Sequence, residues 1–89
     1  MQLDSIEKEI IIITSEVSGF ENDEVTLETN FQKDLEIDSI KTIEITVAIE
    51  KKFKISVRDE DVPKIMTVRD AVDLVQKLLN QKSVVHGTA

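Results

Sequence analysis

No cysteine, tryptophan or tyrosine occurs in these 89 residues, which hold one proline, two glycines and one histidine. Without cysteine there is no disulfide framework and no thiolate metal site, a composition that fits a reducing compartment. Two glycines, Gly19 and Gly87, are too few for a phosphate-cradling loop built from several. His86 stands outside every patterned segment, so a histidine general base held in a preformed cleft is not expected. The longest apolar run is Ile10 to Ile13, far short of the ~20 residues of a membrane span. The start, Met1-Gln2-Leu3-Asp4, lacks the basic residues that open a secretory signal. A cytoplasmic chain without membrane insertion is therefore expected.

Positive charge is also scarce, with 11 basic against 18 acidic side chains and a formal charge of -7. Such an excess repels nucleic-acid phosphates and anionic lipid, and it speeds encounter with basic protein surfaces. Aliphatic side chains are nevertheless plentiful, which sets the chain apart from a disordered acidic tail. A domain of this size buries roughly 60% of its unfolded surface, enough for one modest core. One domain over 1–82 with a flexible tail at 83–89 is expected.

Leu3, Ile6, Ile10, Ile13 and Val17 recur at helical steps, which predicts a helix over 4–18, capped by Asp4 or Ser5 and stopped by Gly19. The competing reading is a strand through 9–14, because four consecutive isoleucines suit a buried strand. Residues 20–38 form an acidic stretch in which Val25, Leu27, Phe31, Leu35 and Ile37 are interspersed. It reads as a long loop pinned by apolar anchors, and a loop of that length is usually functional. A second helix is predicted over 39–52. Its apolar residues fall into two stripes, Ile45, Ile49 and Phe53 on one side and Ile40, Ile43 and Val47 on another. The second stripe is either covered by the core or is a docking face. Phe53, Ile55 and Val57 read as an extended connector, since a lone strand has no partner. Asp59-Glu60-Asp61-Val62-Pro63 reads as the start of a short helix. Thr67 caps a last helix, with Asp70 completing a capping box and Val68, Ala71, Val72, Val75, Leu78 and Leu79 on one face. The fold class is all-α, a four-helix bundle of three main helices and one short one, with the long loop between the first two.

Asp38-Ser39 lies where the acidic loop meets the two-striped helix. Free N–H groups and the dipole at a helix start favour an anion by ~0.3–1 kcal/mol, so a phosphate ester on Ser39 would be well placed. The plainer role for Asp38 or Ser39 is that of an ordinary N-cap.

Asp34-Leu35-Glu36-Ile37-Asp38-Ser39-Ile40 resembles the Asp-Leu-Gly-x-Asp-Ser-Leu signature of the acyl carrier protein family. Glu44, Glu50 and Phe53 stand at matching places in the following helix, and the similarity continues through Ile6, Glu7, Glu24, Val25, Phe31, Asp59, Glu60, Lys64, Ile65, Thr67 and Val68. The resemblance runs from about residue 5 to 78 without an evident gap. It implies that Ser39, preceded by Asp38, carries 4'-phosphopantetheine attached by a phosphopantetheinyl transferase from coenzyme A. The arm's thiol would hold acyl groups as thioesters for fatty-acid, lipid or polyketide synthesis, and the chain itself would not be an enzyme. By the same resemblance Ile40, Lys41, Ile43, Glu44, Val47, Lys51 and Asp59 occupy partner-docking positions, and Phe31, Ile49, Phe53 and Ile65 occupy acyl-pocket positions. Implied partners are an acyl-loading ligase or acyltransferase and ketosynthase-type or other acyl-transfer enzymes, met by a monomer.

The departures concern partner choice. The family's glycine is Glu36, its leucine after the serine is Ile40, and acidic positions of the second helix are Lys41 and Lys51. From 38 to 54 the acids Asp38, Glu44 and Glu50 face Lys41, Lys51, Lys52 and Lys54, so this segment is not acidic overall. Enzymes with basic docking patches should bind it less well, which points to a specialised carrier. Ile11 and Ile12 replace charged residues at outward positions of the first helix, where loop packing is favoured over self-association. The alternative function is an unmodified helical interaction module. A serine hydrolase would need a base beside Ser39 that the chain does not offer. Without cysteine, metal binding would be limited to weak Ca²⁺ or Mg²⁺ on loop carboxylates.

Overall fold

The computed structural model describes the backbone of residues 3–88 and the side chains of residues 5–81. Three helices make the body: α1 at Leu3–Ser18, α2 at Ser39–Phe53 and α3 at Val68–Thr88. Two three-residue 3-10 turns, Asn22–Glu24 and Val62–Lys64, lie in the connections. Among the described residues no strand forms, and the only bridge is an antiparallel one between Asn30 and Thr67. The all-α expectation therefore holds, with the short fourth element reduced to the 3-10 turn at Val62–Lys64.

The isoleucine run is helical, and the strand alternative is overturned: Ile6 and Ile10 are fully buried and Ile13 nearly so. Three helical turns of one apolar stripe outweigh the local β preference of four branched side chains, because only the helix brings Ile6, Ile10 and Ile13 to one face. Asp4 and Ser5 do not cap α1, since the helix already starts at Leu3 and places both in its first turn. Gly19 ends it at φ 84, with its N–H donating to the Ser15 carbonyl at 2.9 Å. Ile11 is half-buried and packs against the core, leaving Ile12 exposed.

The apolar anchors of the long loop reach the core as expected, for Val25, Phe31, Leu35 and Ile37 are all buried. From α3, Val68, Ala71, Val72 and Val75 enter the same cluster, with Leu79 packed at its edge. α1 packs against both α2 and α3, and the Val62–Lys64 turn packs on α2. Lys52 on α2 pairs with Glu9 on α1 at 3.0 Å. The expected tail at 83–89 falls on residues whose side chains, and for Ala89 also the backbone, lie outside the described residues.

The start of α3 is tied into the loop by backbone bonds. The N–H groups of Val68 and Arg69, which have no acceptor within the helix, donate to the carbonyls of Thr29 and Leu27 at 3.1 and 2.9 Å. Phe31 returns a bond to the Met66 carbonyl at 2.9 Å. The expected capping box is present: Asp70 N–H donates to Thr67 Oγ1 at 3.1 Å, and Asp70 Oδ2 accepts from the N–H groups of Met66 and Thr67.

Candidate functional site

At the head of α2 the capping duty falls on Asp38 alone. Its carboxylate accepts from the Lys41 N–H at 2.9 Å, and its carbonyl accepts from the Thr42 N–H and the Thr42 hydroxyl, both at 2.9 Å. Ser39 is consequently the first helical residue and not the cap; it is exposed, and its hydroxyl has no partner among the described residues. The N–H groups of Ser39 and Ile40 are likewise without acceptors among the described residues. A nucleophilic oxygen thus stands in solvent at the positive end of a helix of 15 residues.

The approach to this serine is set by Glu36, which adopts φ 53, a left-handed conformation that favours glycine. That turn lets Leu35 and Ile37 both point inward, 6% and 2% exposed, while Glu36 remains in solvent between them. The Ile37 N–H donates to the Phe31 carbonyl at 2.9 Å, closing the loop just before Asp38.

Beside Ser39 a groove of about 350 Å³ opens between α2 and the segment entering α3. Asn30, Phe31 and Gln32 form one wall, Ser39, Thr42 and Ile43 a second, and Val62, Pro63, Ile65 and Met66 a third. Of the four residues expected at acyl-pocket positions, Phe31 and Ile65 line this groove, whereas Ile49 and Phe53 lie in the core, 3% and 5% exposed, and do not. Thr42, Asn30, Gln32 and Met66 are groove residues that the sequence reading missed. Thr42 had a signal in its spacing, since it lies three residues after Ser39 and so on the same helix face. The other three come together only through the loop's attachment to α3.

α2 keeps its two stripes apart. Ile45, Ile49 and Phe53 are buried, and Ile40, Ile43 and Val47 remain 69%, 57% and 40% exposed. Lys41, Glu44 and Lys51 flank that open stripe and are exposed, and Asp59 is exposed in the turn before Val62. Glu50 is committed elsewhere: its carboxylate accepts from the Val57 N–H at 2.8 Å and folds the connector against the end of α2. Among the described residues no group of His, Asp and Glu side chains is arranged to hold a metal, and no helix is long and apolar enough to cross a membrane.

A free serine at a helix start and a partly apolar groove beside it are thus brought together at one end of α2. Residues 8–75 match the family described as the phosphopantetheine attachment site, so the chain is a phosphopantetheine-bearing carrier domain. It is similar to an acyl carrier protein of Petrotoga mobilis, with 42% identity over 73 residues that span 82% of each chain. The chain belongs to the acyl carrier protein family, whose members are carriers and not enzymes.

Proposed function

We propose that Ser39 is the attachment serine and that residues 1–82 form an acyl carrier domain serving its own set of partner enzymes. The observation that carries this reading is the freedom of the Ser39 hydroxyl at the first turn of α2, where Asp38 has taken the cap and the groove opens alongside. A phosphodiester there would meet the unpaired N–H groups of Ser39 and Ile40 and the helix dipole. When bound, 4'-phosphopantetheine supplies a terminal thiol that holds acyl groups as thioesters. Asn30, Gln32 and Thr42 offer polar contacts along the groove, and Phe31, Ile43, Ile65 and Met66 offer apolar ones. A phosphopantetheinyl transferase would install the arm, and a loading ligase or acyltransferase and ketosynthase-type enzymes would use it in fatty-acid, lipid or polyketide synthesis. We assign Ile40, Lys41, Ile43, Glu44, Val47, Lys51 and Asp59 to docking, and the cytoplasm as the place of work. Among the described residues Ile12 is the one large apolar side chain exposed on α1, which supports a monomer.

The test is intact mass after incubation with coenzyme A and a broad-specificity phosphopantetheinyl transferase. The native chain is expected to gain one arm and Ser39→Ala none. If the folded native chain gains nothing, the exposed stripe of α2 would instead serve an unmodified interaction module.

A further inference from the structure

Asn30 and Thr42 stand on two different walls of the groove beside Ser39. Each side chain is held by the backbone, and each hold leaves a defined polar atom to spare. Asn30 Oδ1 accepts from the N–H groups of Gln32 and Lys33 at 3.0 and 2.9 Å. Two backbone donors on that atom settle the orientation of the amide, because the flipped one would set N–H against N–H. Asn30 Nδ2 is therefore the free end, a donor with no acceptor among the described residues. Thr42 is the reverse case. Its hydroxyl hydrogen goes to the Asp38 carbonyl at 2.9 Å, so Thr42 Oγ1 has only lone pairs left. The exposed Gln32 side chain, by contrast, has no bond to hold it among the described residues and can present either end. A held donor and a held acceptor in one groove, with apolar contacts from Phe31, Ile43 and Ile65, match a secondary amide, which offers one carbonyl and one N–H. 4'-Phosphopantetheine carries such amides between its phosphate and its thiol.

Resting on the carrier reading above, we infer that Asn30 Nδ2 and Thr42 Oγ1 form a clamp for an amide of the arm on Ser39. Asn30 donates to the amide carbonyl and Thr42 accepts from the amide N–H. Both are positioning residues, and because the fold has already ordered them, the clamp costs little side-chain entropy. The free carrier thus keeps its arm along the groove, and a partner enzyme must break these hydrogen bonds to draw it out.

The experiment loads the isotope-labelled chain with the arm, verifies loading by intact mass, and compares loaded with unloaded chain by NMR. Loading is expected to shift the Asn30 side-chain amide resonances and to give cross-relaxation between arm protons and the side chains of Phe31, Ile43 and Ile65. Asn30→Asp keeps the oxygen that takes the Gln32 and Lys33 N–H groups and turns the donor into an acceptor. Thr42→Val keeps the branched shape and removes the acceptor, and it leaves the Asn30 turn untouched should Asn30→Asp loosen the loop. Each should weaken the arm cross-peaks by about threefold or more, the loss of one hydrogen bond, whereas Gln32→Ala should leave them unchanged. A loaded native chain without the shift or the cross-peaks would overturn the inference, as would cross-peaks at full strength in either variant. A chain that gains no mass would overturn the carrier reading and the clamp with it; a chain that gains the arm and leaves it unheld would overturn the clamp alone.

Discussion

Glu36 occupies left-handed backbone without any partner for its carboxylate among the described residues. A residue with a Cβ pays about 1 kcal/mol or more for that conformation. Glu36→Gly is expected to stabilise the fold by about 0.5–1 kcal/mol, the relief of strain being partly offset by the freedom glycine adds to the unfolded chain. Urea unfolding with an unchanged slope would show it. Thr14 presents a second local cost, for its side chain is fully buried in α1 and its hydroxyl has no hydrogen-bond partner. Thr14→Val keeps the branched shape and removes the orphaned oxygen. It should raise stability by about 1 kcal/mol, read as a melting temperature about 4–8 °C higher.

At the scale of elements, the weakest segment by composition is the long acidic loop, and it is held by what it does for α3. Leu27 and Thr29 supply carbonyls to N–H groups that α3 cannot satisfy itself, so loop and helix start stand or fall together. Asp70→Ala removes the acceptor of the Met66 and Thr67 N–H groups and should cost about 1–2 kcal/mol. Because Met66 and Phe31 are bonded, hydrogen exchange should accelerate at Phe31, Val68 and Arg69 in that variant, and less at Ile10 in α1. The Arg69–Glu28 ion pair spans the same junction, and hydrogen bonding to Glu28 raises the Arg69 pKa. Both side chains are open to solvent, so this pair adds little beside the backbone bonds.

For the whole molecule the excess of acid is the dominant electrostatic fact. With 18 carboxylates against 11 basic groups, self-repulsion opposes the compact state. Stability at neutral pH should therefore rise with simple salt. Between about 10 mM and about 1 M the Debye length falls from about 30 to about 3 Å, and the melting temperature should climb by several degrees over that range. A melting temperature that fell over this range would show that the attractive pairs outweigh the repulsion.

Helical period, the loop's apolar anchors and the Thr67–Asp70 capping box were legible in the sequence, because each depends on spacing within one segment. The two stripes of α2 were legible for the same reason, down to which residues belong to each. Which stripe the core would cover was not, since that depends on where α1 lies; the structure buries Ile45, Ile49 and Phe53 and leaves Ile40, Ile43 and Val47 in water. Ser39 could be singled out from its neighbours, but whether Asp38 or Ser39 caps the helix is a matter of backbone direction. The groove was the least legible part. Asn30, Thr42 and Met66 are distant in sequence and meet because the loop's carbonyls and the orphan N–H groups of α3 must find each other. Local pattern determined the elements and placed Ser39 at the head of α2, while hydrogen-bond satisfaction between distant segments decided what surrounds it.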